Sequence, residues 1–145
     1  MAGYADFVQS VDRSRLVTSL SRRPCGPGAR SAVRSRWRST PARAGGERGG
    51  VAPGGVAELA DLVAGSEGLR LGGLMTVAPL TGEYAGREQA AFGRLMDLST
   101  DLRRTHPAAN MVSAGMSADL EQAVAAGATH VRVGSAVLGV RPRLG

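Results

Sequence analysis

Six residues in the last third of the chain have types and spacing that suit an anion. Ser113, Gly115 and Ser117 alternate through Ser-Ala-Gly-Met-Ser, and Arg132, Gly134 and Ser135 fall in Arg-Val-Gly-Ser. Small residues let backbone N–H groups approach an oxyanion closely. Serine hydroxyls add donors, and arginine is a permanent cation. The same residues, taken alone, also allow a blander reading. Ser113 would then end a strand, Ser117 would cap a helix, and Arg132 would be an edge arginine paired with a carboxylate.

The elements that must position them can be read from apolar spacing. Met111-Val112 precedes the first set, and His130 to Val133 is a β-prone run leading into Gly134. Between them, Ala118 to Ala126 has helical spacing with Leu120, Ala123 and Val124 on one face. This is a βαβ unit, whose two strands present their C-terminal ends on one side. Ser117 is expected as the helix N-cap, with Asp119 and Glu121 complementing the dipole in the first turn.

Upstream, Tyr4 to Val11 reads as a short strand and Asp12 opens a helix carrying Leu16, Val17 and Leu20. Gly55 to Ala64 is a helix after Pro53, with Val56, Leu59, Leu62 and Val63 on one face. Leu69 to Pro79 begins in alternation and becomes a continuous apolar run, as a strand buried on both faces does. Tyr84 to Arg104 is the longest helix, with Ala91, Leu95, Leu98 and Leu102 inward, and His106-Pro107 ends it. Strands alternating with helices imply an α/β fold on a parallel sheet, either doubly wound or part of a (β/α)8 barrel.

The chain has 145 residues, enough for one domain with a real core. No run is long enough for a membrane span and no secretory leader opens it, so a cytoplasmic protein is expected. One cysteine, Cys25, and two histidines, His106 and His130, at unrelated spacing give no expectation of a metal site. All 18 basic residues are arginine; there is no lysine. The charge is also localised. Residues 22–50 hold eight arginines against Glu47, a net +7, whereas the remainder holds ten arginines and eleven acids. Residues 21–50, with Pro24, Pro27 and Pro41 and few apolar residues, are expected to be disordered. Three parts follow: 1–20, the basic segment 21–50, and 51–145.

The stretch from Ser113 to Arg141, SAGMSADLEQAVAAGATHVRVGSAVLGVR, closely resembles the C-terminal signature of the pyridoxal-phosphate homeostasis protein family. LRLGGLMTVAP resembles that family's sixth barrel strand, VQSVDRSRLVTSL its fourth strand and helix, and ERGGVAP the end of a further segment. The resemblance covers about residues 4–20 and 47–142. It implies a type III pyridoxal-phosphate barrel of the alanine racemase kind, here a partial one with strands four, six, seven and eight. It implies no established strong catalysis, so no enzyme is expected. Pyridoxal 5'-phosphate, or another phosphate-bearing small molecule, is the expected ligand. Ser113 and Ser117 would flank the phosphate loop after strand seven, with Gly115 admitting close approach. Gly134 and Ser135 would donate to the phosphate after strand eight, and Arg132 would face the pyridine nitrogen.

The chain departs from the family in two ways. The first three strands, including the one bearing the Schiff-base lysine, have no counterpart, so binding would be weak and non-covalent. Where a fifth strand belongs stands the arginine-rich segment, read as the product of two compensating frame changes or as a genuine basic arm. The arm would make the chain a nucleic-acid binder, which the single aromatic Trp37 among those arginines disfavours. A further alternative is a non-functional degraded product. Open barrel edges would favour self-association.

Overall fold

A chain that alternates strand with helix can lay its strands side by side as a parallel sheet, and four segments of this chain pair in that way. The computed structural model describes residues 7–21, 31–36, 49–78, 84 and 86–139, with the backbone alone for 31–36, 135 and 136. Four parallel strands lie in the order β1 (Phe7–Val11), β2 (Ser31–Arg36), β3 (Leu69–Met75) and β4 (Met111–Ser113). Helices α1 (Ser14–Ser21), α2 (Val56–Ala64, after a 3-10 turn at Pro53–Gly55), α3 (Glu88–Thr105) and α4 (Leu120–Ala126) follow them in alternation, and a short α5 spans Ser135–Leu138.

The core lies between sheet and helices. Val11, Leu69, Leu71, Leu74 and Val112 face it from the strands. Val17 of α1, Val56, Leu59, Ala60 and Val63 of α2, and Ala91, Phe92, Leu95, Leu98 and Leu102 of α3 face it from the other side. The expected inward faces of α1 and α3 are therefore found. On α2, Ala60 takes the inward place that the spacing gave to Leu62, which is 41% exposed. On α4 only Ala123 is buried, and Val124 is 55% exposed.

Two one-residue slips shape the sheet. Val8 pairs with Val33 but Val11 with Ser35, so β1 carries an extra residue there. Leu71 pairs with Val33 but Gly73 with Arg34, so β3 carries another at Gly72. Strict alternation would send Val8 and Val11, or Leu71 and Leu74, to opposite faces. The bulges bring each pair to the helix side, and they stand at the same level of β2. Gly73 itself has φ +147°, and a Cβ there would collide with the backbone carbonyl of Met111. Glycine is what lets β3 and β4 lie side by side.

Two expectations are corrected. Residues 31–36, inside the segment expected to be disordered, form β2 between two partners; residues 22–30 and 37–48 of that segment lie outside the described residues. Parallel neighbours on both edges satisfy the backbone of β2, which outweighs a composition poor in apolar residues. Conversely, His130 to Val133 forms no strand. It makes one parallel bridge, His130 to Ser113, and then runs on without a regular ladder.

Candidate functional site

The C-terminal ends of parallel strands collect loops and side chains that no helix covers. In this chain the Arg132 guanidinium lies at that end. It donates from Nη1 to Ser113 Oγ at 2.7 Å and from Nη2 to the Thr76 carbonyl at 2.7 Å. Thr76 follows the last residue of β3 and Ser113 is the last residue of β4, paired through Thr76 N–H to the Ser113 carbonyl. Arg132 thus bridges the ends of two strands. A hydroxyl and a carbonyl oxygen receive these two bonds.

Ser113 is 0% exposed. Its hydroxyl donates to Gln9 Oε1 at 2.9 Å while accepting from Arg132. Gln9 lies on β1 and Ser113 on β4, the two edge strands of the sheet. A flat sheet would hold them roughly 14 Å apart at about 4.8 Å per strand. Their direct hydrogen bond shows that the sheet curls, with these two side chains on its concave face. The β1 bulge permits this: Val8 and Val11 turn to the helices, and Gln9 between them reaches into the curl. Sequence reasoning missed Gln9, because plain alternation pairs it with Val11 on the core face.

The first turn is tightly built. Gly115 has φ +84°, and a Cβ there would lie 2.6 Å from Ala123 Cβ. The Met116 N–H donates to Asp119 Oδ1 at 2.6 Å, and the Asp119 N–H donates back to the Met116 carbonyl. Asp119 is 8% exposed and stands at the cap position of α4. Ser117, expected as the N-cap, lies instead in the exposed turn before it. The reason is local: the Asp119 carboxylate closes the turn back onto Met116, so the helix starts at Leu120.

The second turn runs beside the first. The Ala114 N–H donates to the His130 carbonyl and the Arg132 N–H to the Gly115 carbonyl, both at 3.0 Å. The two segments run parallel, so Gly115 to Ser117 and Gly134 to Ser135 leave at the same end. Gly134 precedes α5 and its carbonyl accepts from Val137 and Leu138. Among the described residues nothing lies within 4 Å of a Cβ built there. The side chain of Ser135 lies outside the described residues. Of the six candidates, then, Ser113 and Arg132 touch, Gly115 adjoins Arg132 through the backbone, and Ser117 and Gly134 continue the two segments.

Among the described residues no cluster of histidine, cysteine and carboxylate could hold a metal ion, and no helix is long and apolar enough to cross a membrane.

Comparison with known proteins adds to this geometry. The family model for the alanine racemase N-terminal domain matches residues 42–142. The pyridoxal phosphate homeostasis protein of Mycobacterium bovis is 42% identical over 147 aligned residues, covering 97% of this chain and 55% of that protein. The solved structure of PipY from Synechococcus elongatus without PLP is similar with TM-score 0.76 and 28% identity, covering 92% of this chain and 61% of that one. PipY with PLP bound is similar with TM-score 0.66 and 27% identity over the same shares. The chain spans about half the length of the curated relatives it matches.

Proposed function

The chain belongs to the alanine racemase N-terminal domain family, and from that premise we propose that it serves pyridoxal 5'-phosphate homeostasis in the cytoplasm. It holds the cofactor non-covalently, through the phosphate half of a partial (β/α)8 barrel. In this reading β1 to β4 are strands four to seven, and residues 130–133 stand in for strand eight. The observation that carries it is the pairing of two small-residue turns at one end of the sheet, with the Arg132 guanidinium between the ends of β3 and β4.

The donor set fits a phosphate ester. Gly115 and Gly134 bring backbone close without side-chain bulk and Ser117 adds a hydroxyl donor, with Ser135 assigned a second hydroxyl by the family pattern, while Arg132 would meet the ring half of the ligand. The hydroxyl of Ser113 is engaged with Gln9 and Arg132, so its part is to hold Arg132 and not to meet the phosphate. When bound, the pyridine ring supplies an electron sink. Arg132 facing the ring nitrogen, as the family pattern implies, would keep that nitrogen unprotonated and weaken the sink, which would suit a carrier better than a catalyst. With no lysine in the chain, none of its side chains can form an imine to the aldehyde or act as a lysine base.

Titration of the purified chain with pyridoxal 5'-phosphate, followed by absorbance, is the test. Saturable binding is expected, competed by inorganic phosphate, with no side-chain adduct trapped by borohydride. A trapped side-chain adduct, or binding unaltered by both Gly134→Val and Arg132→Ala, overturns the reading.

A further inference from the structure

Ser113 Oγ carries one proton and sits in full burial between an amide and a guanidinium. Arg132 can only donate, so it takes a lone pair of Oγ. The proton must then go elsewhere, and the Gln9 Oε1 at 2.9 Å receives it. The opposite amide orientation would place Nε2 against Oγ, giving it a second incoming donor and removing the Gln9 acceptor. The Gln9 carbonyl therefore sets the direction of the whole chain, Gln9 to Ser113 to Arg132. The other half of the guanidinium is fixed by the Thr76 carbonyl.

We propose that Gln9 is the positioning residue that fixes the plane of the Arg132 guanidinium through Ser113, and so sets how the site meets the ring half of its ligand as distinct from the phosphate half. The proposal rests on the cofactor reading above for its functional consequence, but its structural content does not. The bulge in β1 is what aims Gln9 across the curl, while both valines beside it remain in the core.

The experiment uses the full chain and three variants: Gln9→Leu, which removes the acceptor at similar size; Gln9→Glu, which keeps it; and Arg132→Lys, which identifies the Arg132 signals. First, the guanidinium resonances of nitrogen-15 arginine-labelled, ligand-free protein are recorded. Gln9→Leu is expected to shift or broaden the Arg132 signals, and Gln9→Glu to leave them near wild type. Unchanged Arg132 signals in Gln9→Leu overturn the proposal whether or not any ligand binds. Second, binding of pyridoxal 5'-phosphate and of inorganic phosphate is measured side by side. Gln9→Leu is expected to weaken pyridoxal 5'-phosphate by about fivefold, the loss of roughly one hydrogen bond, and to leave inorganic phosphate within twofold. Gln9→Glu should restore the first. Equal weakening of both ligands overturns the selective role. If wild type binds neither ligand while Gln9→Leu still disturbs Arg132, the cofactor reading falls and the positioning role stands.

Discussion

The two small-residue turns stand side by side, yet they are held in different ways. The first, around Gly115, is clamped from within: Asp119 closes it onto Met116, and Ala123 of α4 presses against Gly115. Beneath it lies the packed core of α3 and β4. The second, around Gly134, has no described residue where a side chain would start, and Val137 and Leu138 of the helix after it are 73% and 85% exposed. The lesson is that preorganisation comes from the helix after a turn. Where that helix is packed, the turn is fixed before a ligand arrives; where it is uncovered, the ligand itself must help to order it.

This contrast can be broken most severely from below. Phe92 is 1% exposed on α3, and Phe92→Ala should cost about 3–5 kcal/mol, read as a lower midpoint in urea. Gly115→Val comes next. Its positive φ and the approach of Ala123 should cost at least about 2 kcal/mol and abolish anion binding together with stability. Asp119→Ala removes the clamp alone and should cost about 1–2 kcal/mol, visible as faster hydrogen exchange at the Met116 amide. Gly134→Val should lie within about 0.5 kcal/mol of wild type in stability, because no described residue crowds it, while phosphate affinity falls. If Gly134→Val destabilised the chain as much as Gly115→Val, the contrast between the turns would fail.

Legibility in the sequence followed the strength of the local signal. The leucines of α3 fix its inward face by spacing, and that face stands as read; the apolar run after Leu69 does mark a buried strand, but β3 ends at Met75, short of the expected Pro79, and its bulge decides which residues face the core. The parallel course of the two turns follows from the βαβ pattern. What could not be read required neighbours. β2 has the composition of a loop, and only two flanking strands make it a strand. His130 to Val133 has the composition of a strand, yet it makes a single bridge. Ser117 has the right type for a cap, but Asp119, two residues on, closes the turn first. Gln9 was hidden by the bulge, since alternation is a two-residue rule and one inserted residue inverts it.

The hydrogen bond between Gln9 and Ser113 joins residues 104 positions apart. Closing a loop of that length costs about 4 kcal/mol of chain entropy, several times what one such bond returns. The bond cannot lead assembly; it forms only after β2 and β3 have been laid between the two edges. Parallel sheets built from such distant pairings are slow to fold. The orientation of Arg132 is therefore among the last features acquired in refolding, and ligand binding recovered after dilution from denaturant should lag behind the return of helical circular dichroism.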